Sequence, residues 1–397
     1  MMKTAVIGGG AAGFFLAVNL KEMLPQMQVD IFERGQHVLS KVEISGGGRC
    51  NCTNSFLEVT DLSQVYPRGH RLMKRLFNVF NHQDAYQWFE SHGVPLITQD
   101  DECVFPQAQD SHAIIDCFLS LCRRYQIRIH NNRKILAWND VKGYDFVAVT
   151  TGGSPKGEGL RWLADMGHEI ETPVPSLFTF SISDNSLHAL QGLVTESASA
   201  HIPGTKFRAT GPLLITHWGM SGPVILKLSS YAARYLAEND YRAPLSINWL
   251  GKNETEVQTT LFEHALHEPQ KQLSTYNPFG LSSRLWGYLL EKALGVRAAI
   301  RWNEMNKKDV NRLVNILTND TYQIAGRAAF KDEFVTCGGI ALKAVNTSTL
   351  ESRHVPHLYF AGEVLDIDGI TGGFNFQAAW TTAYTVAQAI KGKSAAR

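Results

Sequence analysis

The sequence predicts an α/β fold in which one domain is built from both ends of the chain and is interrupted by an inserted region. Three observations predict it. The chain opens with a strand, a glycine-rich turn, a helix and a second strand. A strand that ends in glycine returns near the end of the chain, and from residue 173 the apolar segments become short and are separated by glycine and proline.

The opening elements form a β-α-β unit. Residues 4–7 are a short apolar strand, residues 14–24 have the apolar spacing of a helix that ends before Pro25, and residues 29–32 are a second strand. Later elements expected in the same domain are amphipathic helices at 72–80 and 111–125 and a buried strand at 144–149.

The inserted region has a different sequence pattern. Short β-rich segments at 177–183, 193–199 and 206–215 favour an antiparallel sheet or a small barrel. Pro223 suits the first position of a helix that runs to about Leu236. The expected domains are 1–172 with 334–397, a β-rich part at 173–252 with 319–333, and a small helical part at 253–318.

The composition is that of an ordinary globular protein. Of 397 residues, 44% are hydrophobic and 19% charged, which excludes wholesale disorder. The formal charge of +1 gives no global attraction to nucleic acid or to an anionic membrane. No apolar run reaches the roughly 18 residues that a membrane span needs. Six scattered cysteines and an N-terminus unlike a secretory signal predict a cytoplasmic protein.

The first motif is Gly8-x-Gly10-x-x-Gly13, placed between a strand and a helix. The first glycine permits a tight turn, the second lets a pyrophosphate approach the backbone, and the third lets helix and strand pack closely. Glu33 follows the next strand, where an acid accepts hydrogen bonds from a ribose. With strand, helix and acid all in place, the motif predicts a dinucleotide site.

A second strand that ends in glycine, at residues 360–363, precedes a helix that opens at 372–377. This layout resembles flavoproteins with two dinucleotide-type folds, in which a late helix directs its N-terminus at the flavin. A helix N-terminus stabilises the negative charge of a reduced flavin.

Longer motifs then identify a family. They lie at residues 41–54, with the run Ser45-Gly-Gly-Gly-Arg-Cys-Asn51, and at 216–223, 336–339 and 358–377. Together they resemble the BaiN/YhiN-type flavoproteins, which are FAD-dependent oxidoreductases. The resemblance implies an FAD domain of the glutathione-reductase/fumarate-reductase kind, with non-covalent FAD and an insertion that contains a β-barrel-like part and a small helical part.

The resemblance also implies which residues contact the cofactor. The predicted contacts at the ADP half are Gly8, Gly10, Ala12, Gly13, Glu33 and Arg34. Along the pyrophosphate and flavin they are Lys41, Ser45, Gly48, Arg49 and Asn51, with Gly152 in a strand-end turn below the FAD. At the ribityl and pyrimidine end they are Gly362, Glu363, Gly373, Phe374, Asn375 and Gln377. The chain departs from the family at Cys52 and at residues 102–106.

Several residues have two interpretations. His217 is either a general acid over the flavin or a structural histidine. Cys50 and Cys52 are separated by one residue, which favours packing over a redox disulfide. Asp366 and Asp368 lack the further ligands of a metal site, so no metal is expected.

These observations predict an FAD-dependent oxidoreductase that transfers a hydride between NADH or NADPH and a small organic substrate through flavin N5. No second glycine motif follows a strand, so the nicotinamide is expected to dock transiently. One alternative is an amine or α-amino-ketone oxidase that uses oxygen. Another is an RNA-binding flavoprotein whose basic residues at 68–75 form a docking strip, although the amphipathic pattern there favours an ordinary solvated helix face. A nucleic-acid partner is therefore not the expectation, and the oligomeric state stays open.

Overall fold

The structure is a computed structural model that describes residues 1–328 and 335–395. It divides into two compact units, one of Met1–Pro175 with Val335–Arg397 and one of Ser176–Phe334. The expected boundary at residues 333 and 334 lies outside the described residues. We describe each unit by itself.

The strands and helices have the following bounds. The strands are β1 (Lys3–Ile7), β2 (Gln28–Phe32), β3 (Thr53–Asn54), β4 (Leu96–Thr98), β5 (Cys103–Pro106), β6 (Arg128–His130), β7 (Phe146–Val149), β8 (Ile170–Ser176), β9 (Phe180–Ile182), β10 (Val194–His201), β11 (Arg208–Thr216), β12 (Gly219–Ser221), β13 (Ala243–Asn248), β14 (Asp320–Arg327), β15 (Val335–Ile340) and β16 (Leu358–Phe360). The helices are α1 (Ala11–Met23), α2 (Ser40–Gly48), α3 (His70–Leu76), α4 (His82–Ser91), α5 (His112–Arg124), α6 (Arg161–Asp165), α7 (Asn185–His188), α8 (Pro223–Tyr231), α9 (Ala233–Glu238), α10 (Glu254–His267), α11 (Ser283–Leu294), α12 (Lys307–Asn319) and α13 (Phe374–Ala395).

The first unit is built on a parallel sheet of five strands in the order β16-β7-β1-β2-β6. Thr4 of β1 pairs with Val29 on one side and with Phe146 on the other. All four residues of β7 are buried, as expected for a strand covered on both faces. The predicted α/β fold class is confirmed, and strands from the first and last parts of the chain, β1 and β16, lie in this one sheet.

Aromatic side chains pack the helices against one another in this unit. Phe15 of α1 lies 4.6 Å from Trp88, 5.2 Å from Trp380 and 6.4 Å from Phe118, measured between ring centroids. All four rings are at least 90% buried. This cluster joins α1, which carries the glycine turn, to α13, which closes the unit.

The first unit also contains two small sheets that the sequence did not indicate. Strands β3, β5 and β4 form an antiparallel sheet in that order, and β8 pairs with β15. The pairing of Thr53 with Val104 fixes the end of the motif at 41–54.

The second unit is a closed barrel with helices. The barrel strands follow the order β10-β11-β12-β9-β14-β13, and each recorded pairing is antiparallel. The expected β-rich insertion is thus a closed barrel. The helix predicted from Pro223 to about Leu236 is instead two helices, α8 and α9, because Ala232 leaves helical geometry (φ −95°, ψ 10°). Among the described residues no helix is long and apolar enough to cross a membrane.

Candidate functional site

The predicted dinucleotide site lies at the carboxyl edge of the parallel sheet. Gly8 follows β1, Glu33 follows β2, Thr150 follows β7 and Gly362 follows β16 by two residues. The central strand β1 has β7 on one side and β2 on the other, so the order of the strands along the chain changes direction at β1. Ligands of open α/β sheets bind in the crevice at such a point.

The turn after β1 can be built only with glycine. Gly8 has φ +116°, and a Cβ there would overlap the carbonyl oxygen of Thr150. A Cβ on Gly13 would overlap the carbonyl oxygen of Gly8. Thr150 closes the turn from below, since its hydroxyl donates to the Gly8 carbonyl oxygen at 2.9 Å. Thr150, the residue that follows β7, therefore holds the turn in a fixed shape.

Gly10 leaves space above the backbone at the start of α1. A Cβ on Gly10 would meet nothing within 4 Å, and no side chain caps the helix. The N–H groups and the partial positive charge of the first turn therefore face open space, which suits a phosphate group. Ala12 is buried and packs so close to Gly362 that a Cβ on Gly362 would lie 2.9 Å from the Ala12 methyl group. This arrangement fits the pyrophosphate of a dinucleotide.

Hydrogen bonds from the backbone fix the position of the Glu33 carboxylate. Its Oε2 accepts from the Gly9 N–H at 2.8 Å, and its Oε1 accepts from the Gly35 N–H at 2.7 Å. A carboxylate oxygen has more than one acceptor position, so both oxygens keep the capacity to bind ribose hydroxyls. Arg34, the next residue, is exposed.

The second predicted segment, at residues 45–49, leaves helical geometry at the end of α2. Ser45 has ψ 150°, and its hydroxyl donates to the Val42 carbonyl oxygen at 2.9 Å. A Cβ on Gly47 or on Gly48 would meet nothing within 4 Å. Arg49 lies over the Phe105 ring at 4.3 Å. Its Nη1 donates to Gln109 at 3.2 Å and its Nε to the Gly46 carbonyl oxygen at 3.1 Å, so the guanidinium bonds both to its own loop and to the segment before α5.

Residues 51–54 are bonded to the start of α13. In the amide orientation that satisfies both of its groups, Asn51 accepts from the Gly373 N–H at 3.2 Å. The Thr53 hydroxyl donates to Gln377 Oε1 at 2.6 Å, and Gln377, fully buried, donates to Thr381 at 3.0 Å. The Cys52 carbonyl oxygen accepts from the Trp380 indole at 2.7 Å. The side chain of Gln377 thus joins two segments of the protein.

The remaining residues predicted at the flavin end are also tied to the protein. Lys41 Nζ lies 3.0 Å from Glu363 Oε2, and the other oxygen of Glu363 accepts from the Thr336 N–H at 2.7 Å. Glu363 Oε2 is the atom nearest to a Cβ added at Gly152, at 3.6 Å. This group places Glu363 beside the turn that follows β7.

The start of α13 is held by the loop before it. Asn375 Oδ1 accepts from the Gly369 N–H at 2.8 Å, and its Nδ2 donates to the Gly369 carbonyl oxygen at 2.9 Å. Phe374 is buried, and its carbonyl oxygen accepts from the Tyr66 hydroxyl at 2.9 Å.

A buried ion pair that sequence reasoning missed holds the same loop. Arg68 Nε donates to Asp368 Oδ1 at 2.6 Å, and a second guanidinium nitrogen bonds to Oδ2. The Asp368 side chain is fully buried and that of Arg68 is 12% exposed. Arg68 therefore does not belong to the exposed basic strip that residues 68–75 suggested. The two residues are separated by 300 positions, and a single sequence holds no signal for such a pair.

His217 lies in the second unit, in the turn between β11 and β12. It is exposed, and its ring is 4.6 Å from that of Trp218. The cysteines beside the first motif are free and buried. Burial raises the pKa of Cys50 to about 12 and raises that of Cys52 well above its usual value, which opposes thiolate chemistry. Among the described residues, no group of three or more His, Cys, Asp or Glu side chains is arranged to hold a metal ion.

A parallel sheet with a glycine turn at its first helix and an acid after its second strand defines the Rossmann class of dinucleotide-binding domains. Within that class this protein is an FAD-dependent oxidoreductase. The chain belongs to the HI0933-like family, since the family model described as the HI0933-like protein Rossmann domain matches residues 2–389. The resemblance to BaiN/YhiN-type flavoproteins and the predicted fold class are thereby confirmed.

Two relatives match over nearly their whole length. The chain is 25% identical to a 3-dehydro-bile acid delta(4,6)-reductase of Clostridium scindens, over 98% of this chain and 99% of the relative. It is 28% identical to a ribosomal RNA dihydrouridine synthase of Escherichia coli, over 96% of each. A solved structure of an FrdA variant of E. coli quinol fumarate reductase is 12% identical, with a TM-score of 0.48 over 100% of this chain and 71% of that chain.

Proposed function

We propose that this protein reduces a carbon–carbon double bond conjugated with a carbonyl group, with NADH or NADPH as the hydride donor. The observation that carries the proposal is that both full-length relatives bear names with this chemistry. A 3-dehydro-bile acid delta(4,6)-reductase acts on double bonds conjugated with an oxo group. Dihydrouridine is uridine whose ring double bond, also conjugated with a carbonyl, has gained two hydrogens.

The residues of the first unit have a role at each part of FAD. We assign the turn at 8–13 to the pyrophosphate and Glu33, with Arg34 beside it, to the adenosine ribose. We assign the loop at 45–51, Gly152 and Gly362 to the central part of the cofactor. At the flavin end, the first turn of α13 offers its partial positive charge to the pyrimidine edge, where negative charge develops on reduction.

When bound, FAD would supply two-electron chemistry, with the nicotinamide as the hydride donor. The substrate carbon distal to the carbonyl gains the hydride and the carbon next to the carbonyl gains a proton, while the nicotinamide leaves oxidised. We propose His217 as the group that holds the proton for this second carbon.

The test is an anaerobic absorbance titration of the FAD-loaded protein with NADH and then with NADPH. We expect one of them to bleach the flavin band. Uridine or a 3-oxo-4-ene steroid, added anaerobically, should then restore the band and give a product two mass units heavier. A flavin that no nicotinamide reduces would contradict the proposed donor. Recovery of the band only with oxygen would instead favour the oxidase.

A specific surface favours RNA as a second candidate substrate. Helix α3 buries Leu72, Met73 and Leu76 and exposes Arg71, Lys74 and Arg75 on its other side. Arg71 and Arg75 line a depression of about 350 Å³ together with Lys343 and Thr347. Lys343 pairs with Glu169 at 2.7 Å, so the two arginines are the groups of this depression that suit phosphodiester groups.

Charge reversal tests this candidate. Arg71→Glu with Arg75→Glu should remove salt-dependent binding of ribosomal RNA fragments. The matched control is Arg123→Glu with Arg124→Glu, which reverses two exposed arginines near the end of α5. Equal loss in both double variants, or no binding by the wild type at low salt, would remove RNA from consideration.

A further inference from the structure

Two asparagine side chains hold one peptide group just before α13. In the orientation that satisfies both groups of its amide, Asn51 Oδ1 accepts from the Gly373 N–H at 3.2 Å. Asn54 Nδ2 donates to the Gly372 carbonyl oxygen at 3.1 Å. The Gly372 carbonyl and the Gly373 N–H belong to the same planar peptide unit, so the two side chains bond its opposite ends. We call this arrangement the asparagine clamp.

Each asparagine is itself held by the loop that carries it. Asn51 Nδ2 donates to the Thr53 carbonyl oxygen at 2.8 Å, and Asn54 Oδ1 accepts from the Phe56 N–H at 2.9 Å. Strand β3 of this loop pairs with β5 in a fixed antiparallel register. Both side chains therefore reach the peptide from fixed positions.

The clamped peptide lies between two glycines. Gly372 has φ +125° and Gly373 has φ +86°, which are conformations that other residues rarely adopt. A peptide between two glycines can also rotate until its carbonyl and N–H exchange directions, because no side chain on either residue opposes the rotation. Such a rotation would break both hydrogen bonds of the clamp. The clamp therefore selects one of two peptide orientations.

The selected orientation affects the charge at the start of α13. The first backbone bond of the helix runs from the Gln377 N–H to the Gly373 carbonyl oxygen at 3.0 Å. The N–H groups of residues 374–376 therefore have no acceptor within the helix, and they carry its partial positive charge. Reversal of the peptide would put a carbonyl oxygen where the Gly373 N–H now lies. The positive potential at the start of the helix would then be lower.

We propose that Asn51 and Asn54 are positioning residues that raise the affinity of the protein for reduced FAD relative to oxidised FAD. The inference rests on the proposed function, which assigns the pyrimidine edge of the flavin to the first turn of α13. Reduction adds negative charge at that edge, so a positive potential there stabilises the reduced form more than the oxidised form. Asn51 then acts through the peptide and not by the direct cofactor contact that the sequence predicts.

The test measures FAD binding and needs neither a nicotinamide nor a substrate. Dissociation constants are measured anaerobically for oxidised FAD and for FAD reduced with dithionite. We expect Asn51→Ala and Asn54→Ala each to weaken the binding of reduced FAD about ten-fold more than that of oxidised FAD. That ratio corresponds to a fall of about 30 mV in the midpoint potential of the bound flavin. The matched control is Ser55→Ala in the same loop, whose hydroxyl bonds to Glu102, and it should leave both constants unchanged.

A double variant tests whether the two side chains act on one peptide. If they do, the loss of either one already frees the peptide. Asn51→Ala combined with Asn54→Ala should then change the ratio little more than either single variant does. Additive changes would overturn the inference, because the side chains would act independently. Equal weakening of both redox forms would overturn it as well, since loss of mere structural support gives that result.

A charge-matched pair of variants keeps the shape of both side chains and so tests the clamp even if the alanine variants do not fold. Asn54→Asp puts a carboxylate against the Gly372 carbonyl oxygen, whereas Asn51→Asp can still accept from the Gly373 N–H. We expect Asn54→Asp to weaken the binding of reduced FAD more than Asn51→Asp does. Equal effects or the reverse order would contradict the clamp. If the clamp variants lose the preference for reduced FAD but no nicotinamide reduces the wild-type flavin, the proposed donor is wrong and this inference stands.

Discussion

At the β1 end of the candidate site, around residues 8–13, backbone groups define the shape. At the α13 end, around residues 49–54 and 372–377, side chains define it. A Cβ on Gly10 would meet only open space, whereas a Cβ on Gly373 would overlap the Thr53 carbonyl oxygen. The first end is therefore an open cradle. At the second end, polar side chains form hydrogen bonds between the loop at 49–54 and the start of α13.

Because the two ends are built differently, we expect substitutions at the two ends to act for different reasons. At the β1 end, a substitution acts by filling the space that a phosphate needs or by breaking the turn. At the α13 end, it acts by releasing the loop from the helix, so that cofactor binding fails indirectly. The following predictions test this division in order of expected size.

The largest effect is expected at Gly13. In Gly13→Ala the new methyl group overlaps the Gly8 carbonyl oxygen, which cannot move because Thr150 holds the turn. We expect a loss of about 4 kcal/mol in the free energy of unfolding and no retained flavin. Gly10→Ala is the matched control, since its methyl group meets nothing. It should leave the Tm of the FAD-free protein unchanged and weaken FAD binding. Equal Tm losses in the two variants would refute the open-cradle description.

The next effect is expected at the buried ion pair. Asp368→Asn keeps the shape of the side chain but removes the negative charge that faces Arg68. Breaking a buried pair on one side costs about 3 kcal/mol. Urea unfolding should show this loss, together with weaker flavin binding, because the pair holds the loop before α13. Stability lost with flavin affinity intact would mean that this loop does not shape the flavin end.

A smaller effect is expected at Thr53. In Thr53→Val the Gln377 amide oxygen loses its donor inside the protein, at a cost of about 1–2 kcal/mol. Thr53→Ser keeps the hydroxyl and should retain the bond. Flavin fluorescence measured during dialysis should show faster FAD loss from Thr53→Val than from Thr53→Ser.

The smallest effect is expected at the exposed ion pair of Lys41 and Glu363. The Lys41 side chain is 54% exposed, so Lys41→Met should change the free energy of unfolding by less than about 0.5 kcal/mol. If Lys41 binds the cofactor as predicted, the variant will still lose FAD affinity, measured by titration of the FAD-free protein. No change in either quantity would remove Lys41 from the predicted contacts.

The parts of the fold that could be predicted depend on local pattern. The opening β-α-β unit was predicted because its strands and helix are neighbours in sequence with apolar spacing and glycine between them. The sheet of β3, β5 and β4 was missed because its strands are two to four residues long, too short for a period to appear. The break at Ala232 was missed because neither proline nor glycine marks it.

In the candidate site too, only the features that depend on local sequence could be predicted. Gly8 and Gly13 could be recognised because each is required by the backbone next to it in sequence. The structural role of the Gln377 side chain could not be recognised from the sequence, because its partner Thr53 is 324 positions away. The assignment of individual residues to the cofactor remains a prediction.

The parallel sheet has a consequence for how the protein matures. Strand β16 and helix α13 complete the first unit, yet the ribosome makes them after the whole inserted barrel. Until Trp380 has been made, the ring of Phe15 lacks one of its aromatic neighbours, and the loop at 51–54 lacks the helix to which it bonds. The barrel folds from contiguous chain and can form first. The candidate cofactor site is therefore complete only after α13 has been made.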